Sequence, residues 1–312
     1  MNEEDAALKE IWAKYRGWSA RARAVRKEID DGRWWTLVLS VTGAILATLA
    51  TQVKLFYGEA SLAPQVISGA SAVTMAIVAF ISRQLLDPST EQRWIRSRSL
   101  AESAKAESFK YATKVAPYDR GDAGSALIGK IEDLLTSGAD IPAGDVAPED
   151  AAKGMPKCPL PIADYIKQRV EDQVYGYYRP KAAEYEKTAN YFSRAIQLFS
   201  LIAAILGAIG TLYPKTGVEA WIATIGTITG AIGAYALGHR YQQLAASYRV
   251  TADRLSLRLA RWQIQPEAAR NEAAERTLVA DMEGLIAAET QAWMAGFQSA
   301  RTGKSSGENQ TN

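Results

Sequence analysis

The sequence predicts an all-α membrane protein with four transmembrane helices as two tandem helical hairpins, which carry long cytoplasmic helical extensions. Three observations predict this fold: four apolar runs have almost no charge, the connection within each pair is short, and the flanking segments are rich in both charges. An α-helix rises about 1.5 Å per residue, so roughly 20 residues cross a hydrocarbon core of about 30 Å. The apolar runs cover residues 34–56, 62–86, 191–213 and 218–238.

The first half begins with a predicted amphipathic helix over residues 1–33, which we expect to end at Asp30-Asp31-Gly32. Its apolar residues recur at spacings of three and four, so they form one face. This face either packs on neighbouring helices or lies on the lipid surface. The first membrane helix then begins with Trp34 and Trp35, aromatic residues typical of the membrane–water interface. After the second membrane helix, residues 87–118 predict another helix.

The second half repeats this order of segments. Tyr191 and Phe192 take the place of the two tryptophans, and we expect them to anchor the third membrane helix at the interface. The fourth membrane helix is predicted to continue without a break through His239 to Trp262, because this stretch contains no Gly or Pro after Gly238. A last amphipathic helix follows.

Domain boundaries follow this duplication. A stretch rich in Gly and Pro separates the two halves, and the end of the chain is rich in Ser, Gly, Asn and Gln. We therefore divide the chain into a first two-transmembrane repeat at 1–140, a linker at 141–161, a second repeat at 162–302 and a disordered tail at 303–312.

The distribution of positive charge predicts the orientation. Lys and Arg favour the cytoplasmic side of membrane proteins. Residues 9–33 contain eight of them, whereas the two hairpin turns offer Lys54 and Lys215. Both termini and the central region are therefore expected in the cytoplasm.

The composition argues against several function classes. The chain of 312 residues has one cysteine, Cys158, and one histidine, His239, which leaves no disulfide framework and few routes to a metal site or a catalytic triad. The motifs of phosphate loops, dinucleotide sites, serine hydrolases and zinc proteases are missing from the sequence. We therefore expect no enzyme activity and no cofactor, and the mixed charges do not favour nucleic-acid binding.

The two halves align without gaps after their second membrane helices, at an offset of 151 residues. The aligned positions keep a basic, an acidic and an aromatic residue. They pair Arg98 with Arg249, Glu102 with Asp253, and Tyr111 with Trp262. A duplication with both copies in one orientation gives a pseudo-twofold axis along the membrane normal, which suits a central pore.

A family resemblance follows from this unit. Two membrane helices, the motif Arg-x-x-Ala-[Glu/Asp], an aromatic residue nine positions after the acid, and a late helix ending Glu289-Thr-Gln-Ala-Trp293 resemble the SLATT family of bacterial two-helix membrane domains. The resemblance implies two tandem copies, although the first has Gly138-Ala-Asp in place of the late tryptophan. It also implies a multi-pass protein of the bacterial inner membrane, an effector in a defence system built around nucleotide second messengers.

Two sets of small or hydroxyl residues lie in the predicted membrane helices. Small side chains let helices approach closely, which predicts helix packing at Ala203, Gly207, Gly226, Gly230 and Gly233. Hydroxyls that share a face predict either a polar path through an oligomer or bonds to the carbonyls of their own helix. These hydroxyl residues are Ser68, Ser71, Thr74, Thr224 and Thr227.

Charged pairs one helical turn apart follow both hairpins. Arg98 with Glu102, and Arg249 with Asp253, predict salt bridges on a helix surface or between helices, with a ligand-responsive site as the alternative. His239 is interpreted as an interfacial residue, with a pH sensor as the alternative.

Two functions from different classes remain open at this point. The first is an oligomeric pore-forming or membrane-perturbing effector, which its cytosolic helices gate in response to a nucleotide second messenger or a cytosolic sensor protein. The second is a membrane scaffold that recruits a cytosolic partner and transports nothing. Both place the chain in the lipid bilayer, and the first requires a homo-oligomer.

Overall fold

The structure, a computed structural model, describes residues 3–58, 61–85, 87–213 and 217–308. Most of these residues are helical and none of them lies in a strand, which confirms the all-α fold. The helices are α1 (Glu3–Tyr57), α2 (Leu62–Leu85), α3 (Pro88–Ala112), α4 (Ala123–Ser137), α5 (Ile162–Tyr165), α6 (Arg179–Leu212), α7 (Val218–His239), α8 (Tyr241–Gln263) and α9 (Glu272–Glu308). A π-helix (Ile166–Tyr178) joins α5 to α6, and two 3-10 turns cover Pro148–Asp150 and Glu267–Ala269.

Four of the described helical stretches are long and apolar enough to cross a membrane. They are Ala6–Tyr57, Leu62–Gln84, Ile162–Leu212 and Val218–Gln263, and each covers all or nearly all of one predicted span. The count of membrane helices is therefore confirmed, whereas their arrangement as two hairpins stays a prediction.

Three helix ends differ from the sequence-based expectation. Helix α1 passes through Asp30-Asp31-Gly32 without a break, because one Gly costs a helix only about 1 kcal/mol and the Gly32 carbonyl accepts a hydrogen bond from Thr36 Oγ1 at 2.9 Å. The predicted continuous fourth helix is instead divided at Arg240, whose φ of 52° lies in the left-handed region. Helix α9 extends to Glu308, into the segment predicted to be disordered from residue 303.

The chain forms two compact units, and each contains segments from both predicted repeats. We call Met1–Arg26, Glu91–Ala182 and Ala246–Asn312 the extramembrane unit, and Lys27–Thr90 with Ala183–Ala245 the membrane unit. The predicted boundaries follow the duplication, whereas the units sort the chain by polarity, because apolar helices pack with apolar helices in lipid.

The extramembrane unit has a conventional apolar core. Helices α1, α3 and α4 contribute to it, with Trp18, Ala104 and Leu127 among the buried residues. The apolar face of the N-terminal amphipathic segment therefore packs on neighbouring helices, as the first of its two interpretations expected.

The membrane unit has the opposite surface. Large apolar side chains such as Val66, Phe80 and Leu201 are exposed on α2 and α6. Polar contacts join its helices inside: Ser71 Oγ of α2 donates to the Gly43 carbonyl of α1 at 2.8 Å, and Gln52 Nε2 of α1 donates to the Gly217 carbonyl at 2.8 Å. An apolar exterior around satisfied polar groups is the pattern that lipid requires.

Candidate functional site

Aromatic residues at the start of both repeats meet in the membrane unit. The rings of Trp34 and Phe192 lie 6.4 and 5.3 Å from the ring of Tyr235, and Tyr191 lies 5.6 Å from Phe192. The predicted anchors Trp34, Tyr191 and Phe192 thus form one cluster around Tyr235, while Trp35 is half exposed. Aromatic side chains of this kind are enriched at the membrane–water interface, where we expect this cluster to lie.

His239 closes this aromatic cluster at the end of α7. Its ring lies 4.4 Å from Tyr235 and stacks on Tyr241 at 4.9 Å with an interplanar angle of 2°. The side chain is buried, and Nδ1 lies 3.4 Å from Asp30 Oδ1 of α1. His239 therefore joins α1, α7 and α8 at the point where Arg240 takes its left-handed conformation.

The five predicted hydroxyl residues separate into two groups. Ser71 and Thr224 are buried: Ser71 bonds Gly43, and the Thr224 hydroxyl contacts that of Thr48 on α1. The other group is at least partly exposed: Ser68 and Thr227 are exposed, and Thr74 is half-buried. Thr74 and Thr227 donate to carbonyls four residues earlier in their own helices, at 2.8 and 3.1 Å. Helix packing thus accounts for the buried group, and pore lining stays a prediction for the other group.

The predicted packing residues are mostly uncovered within the described chain. Apart from the helix's own backbone, no described atom lies within 4 Å of the place where a side chain would begin at Gly207, Gly226, Gly230 or Gly233. Ala203 is half-buried. On α7, one exposed face, called here the α7 small-residue face, consists of Ala223, Gly226, Thr227, Gly230 and Ala234.

The stalk residues of the two repeats have different environments. Arg98 is largely buried and donates to Tyr248 Oη at 2.9 Å and to Glu289 Oε2 at 3.2 Å. Its repeat equivalent Arg249 is exposed, as is Asp253. Arg98 therefore forms an inter-helix salt bridge, whereas the basic and acidic residues of the second copy lie on the surface.

The other motif positions also lie in the extramembrane unit. Glu102 Oε2 lies 3.9 Å from Arg169 Nη1, a longer ion pair than the contact of Arg98 with Glu289. Tyr111 and Trp262, the aligned aromatic residues, are both buried. Sequence reasoning placed these residues on the stalks but did not identify their partners.

A second buried ion pair escaped the sequence analysis. Arg169 donates to Glu283 through Nε at 2.9 Å and through Nη2 at 2.8 Å, and Tyr165 Oη donates to the same carboxylate at 3.0 Å. All three residues are buried. A usable signal exists for Glu283, which interrupts the apolar face of α9 between Val279 and Ile286.

Burial shifts the pKa values of Tyr165 and Glu289. Burial raises the pKa of the Tyr165 hydroxyl, and the Glu283 carboxylate adds to that effect. Burial also raises the pKa of Glu289 above its ordinary value, although Arg98 opposes the shift. The arrangement holds charges inside a helical bundle; among the described residues no group of three His, Cys, Asp or Glu side chains is placed to hold a metal ion.

Each unit also contains a cavity. In the extramembrane unit a cavity of about 420 Å³ lies between α3, α4 and α9, with Glu102, Glu283 and Lys110 on its walls. In the membrane unit a groove of about 590 Å³ lies between α6, α7 and the start of α8, with Gly233 and Arg240 on its walls.

Two family models match the chain. Residues 165–293 match the SMODS and SLOG-associating 2TM effector domain 1 (SLATT_1), and residues 14–126 match a family described as a protein of unknown function, DUF4231. The matches begin 151 residues apart, which equals the offset between the aligned motifs. The duplication is therefore supported in part, since the two halves match different models. No curated protein and no solved structure matches the chain.

The matched region contains α7 and α8 together with the aligned residues Arg249, Asp253 and Trp262, as the resemblance of the sequence implied. Residues 165–293 therefore form a domain of the SLATT type, described as a two-transmembrane effector domain.

Proposed function

We propose that this chain is the membrane effector of a bacterial defence-like system, and that it assembles into a homo-oligomer that permeabilises the inner membrane. The description of its family as a two-transmembrane effector domain supports the effector role. The four membrane helices of the chain supply the means to act on a bilayer.

The α7 small-residue face is the observation that carries this proposal. Gly226 and Gly230 are exposed, and no described atom covers them within 4 Å beyond their own helix backbone. In lipid there is no hydrophobic driving force between helices. Helices associate there through such small residues, because their backbones can approach closely. A second copy of α7 is the partner that this face fits, and Thr227 then lies at the contact between copies.

Gating is assigned to the extramembrane unit. Helix α1 and helix α6 contain residues of both units, so a rearrangement of the buried ion pairs can be carried along a helix into the membrane. We propose that a nucleotide second messenger or a cytosolic sensor protein provides the signal, with both termini in the cytoplasm. No enzymatic step is needed for this function.

The test is ion flux through liposomes that contain the full-length protein, with and without a panel of cyclic dinucleotides and trinucleotides. We expect flux above the leak of empty liposomes. Thr227→Val should reduce it, because the hydroxyl bonds only its own helix in the single chain and its loss alters the path between copies. Thr224→Val is the matched control: it removes the contact with Thr48, so it should lower the melting temperature without a direct effect on conductance.

Two results would contradict the proposal. Equal flux in wild type and Thr227→Val would show that the α7 small-residue face does not line the conducting path. An absence of flux from folded, oligomeric protein under every condition would favour the scaffold hypothesis, in which the chain recruits a cytosolic partner.

A further inference from the structure

The groove of the membrane unit is lined by an apolar part and a polar part. We call the apolar lining on α6 and α7, with Ile196, Gly233 and Ala236, the floor, and the polar lining at the start of α8, with Arg240 and Gln242, the mouth. At Gly233 nothing described lies within 4 Å of the missing side chain apart from the helix's own backbone, so the groove reaches down to the helix itself. An open apolar channel of this kind accepts a hydrocarbon chain.

The position of the groove fixes its surroundings. Phe192 lines it and belongs to the aromatic cluster around Tyr235, which we expect at the membrane–water interface. The floor lies on the apolar part of α7, and the mouth lies on the first residues of α8, where the sequence turns polar. The groove therefore runs from the hydrocarbon region to the headgroup region.

Arg240 holds an unusual backbone conformation at this mouth. Its φ of 52° lies in the left-handed region, which is unfavourable for a residue with a side chain and which Gly adopts freely. Residues in such strained backbone conformations are concentrated at functional sites. Of the twelve residues that line the groove, all described, Arg240 is the only one that carries a full charge at neutral pH.

We propose that this groove binds one anionic phospholipid, with the phosphate at Arg240 and an acyl chain over Gly233 and Ala236. Arg240 gives the lining of the groove a net positive charge, which favours a headgroup with a net negative charge over a zwitterionic one. The glutamine amides at the mouth offer donors to the same headgroup. This site is independent of the proposed pore, because the exposed α7 face around Gly226 does not line the groove.

The experiment is native mass spectrometry of the full-length protein, extracted from vesicles with equal amounts of phosphatidylglycerol and phosphatidylcholine. We expect a preference of roughly fivefold for phosphatidylglycerol, since one arginine near the surface contributes about 1 kcal/mol toward an anionic lipid. Arg240→Gln should abolish the preference. Arg194→Gln is the control, because Arg194 is exposed on the neighbouring helix outside the groove. Inorganic phosphate should not displace the lipid, because it lacks the acyl chain.

Two further variants test the apolar part and the backbone. Gly233→Leu fills the groove and should remove the bound lipid, whereas Gly69→Leu, at an exposed glycine of α2 with equal open space, should retain it. Arg240→Gly should raise the melting temperature in detergent while it loses the lipid preference.

Three results would overturn the site. They are equal retention of both lipids by the wild type, an equal effect of Arg240→Gln and Arg194→Gln, and full retention of lipid by a folded Gly233→Leu variant. If Gly233→Leu does not fold, the comparison of the two arginine variants decides.

Discussion

The extramembrane unit keeps two carboxylates, Glu283 and Glu289, away from water, and each contacts an arginine of another helix. Arg169 contacts Glu283 through two nitrogens, whereas Arg98 shares its donors between Glu289 and Tyr248. Burying an ion is costly, so a buried pair adds little stability by itself, but removal of one partner leaves the other charge uncompensated. These residues therefore tie the helices to one arrangement, which is the property that a gating unit needs.

Glu283→Ala should lower the free energy of unfolding by about 3–5 kcal/mol, because the buried Arg169 guanidinium loses both hydrogen bonds to this carboxylate and keeps only the longer ion pair with Glu102. Asp281→Ala is the control on the same helix: its partner Arg258 lies 2.8 Å away, but the Asp281 side chain is 48% exposed, so the loss should stay below about 1 kcal/mol. Denaturant unfolding in detergent, followed by tryptophan fluorescence, measures both. Equal losses in the two variants would show that the burial of the Glu283 pair has no energetic consequence.

Glu289 predicts a pH dependence of stability. Burial raises the pKa of its carboxyl above the ordinary 4.5, although Arg98 opposes the shift. Between the ordinary and the raised pKa, the folded protein therefore keeps a proton that the unfolded chain has released. This contribution to stability is present below the ordinary pKa and is lost as the pH rises through the raised pKa. Glu289→Gln, which stays neutral, should therefore gain stability relative to wild type as the pH rises from about 4.5 toward neutrality.

Asp140 supplies a control of opposite sign. A hydrogen bond from Arg96 lowers the pKa of the exposed Asp140 carboxyl, so its contribution is present above the ordinary pKa and is lost as the pH falls. Asp140→Asn should therefore approach the stability of wild type at low pH. Denaturant midpoints measured across the pH range test both variants, and slopes of the same sign would contradict the assignment.

At the scale of the elements, α3 and α8 bury equivalent faces. The buried positions alternate at spacings of three and four, the pattern of a coiled-coil seam. The equivalent positions, 151 residues apart, are Ser97 with Tyr248, Ala101 with Ala252, Ala104 with Leu255, Ser108 with Leu259, and Tyr111 with Trp262. The first copy uses smaller side chains at four of these five positions and the second uses larger ones, so the duplicated helices have diverged in volume while they keep their packing face.

Leucines on α8 test this face directly. Leu255 is fully buried, whereas Leu257 is 56% exposed on the same helix. Leu255→Ala should lower the free energy of unfolding by about 2–5 kcal/mol, because it removes buried apolar surface and leaves a cavity. Leu257→Ala should stay within about 0.5 kcal/mol of wild type. A large loss from Leu257→Ala would show that the exposed side of α8 packs in the assembled protein, which unfolding measured at increasing detergent dilution can confirm.

The sequence predicts those elements that follow from local pattern. Length and the absence of charge identify the membrane helices, and apolar spacing identifies the buried face of α8. The break at Arg240 has no such signal, because neither Gly nor Pro stands there. The pair of Arg169 and Glu283 joins residues 114 positions apart, and tertiary packing alone selects that contact. Thr224 and Thr227 share a predicted face, yet the rotation of α7 in its unit buries only Thr224.

At the scale of the whole molecule, the two compact units differ in their surfaces and in their cores. The membrane unit shows lipid an apolar exterior, and its α7 small-residue face lacks a partner among the described residues. The extramembrane unit has a packed core and two buried ion pairs. Each unit contains segments from both repeats. We therefore assign the proposed assembly of several copies to the membrane unit.

Disulfide cross-linking between copies tests that assembly. In a Cys158→Ala background, which removes the single native thiol, Gly226→Cys should form a covalent dimer in membranes under mild oxidation. The reason is that two α7 faces in contact bring equivalent Cα atoms within the 4.4–6.8 Å that a disulfide spans. Val73→Cys is the control, because Val73 is also exposed but lies on α2, outside the α7 small-residue face. Dimer bands on non-reducing gels measure the result, and cross-linking at Val73 that equals or exceeds that at Gly226 would assign the contact between copies to α2 instead of α7.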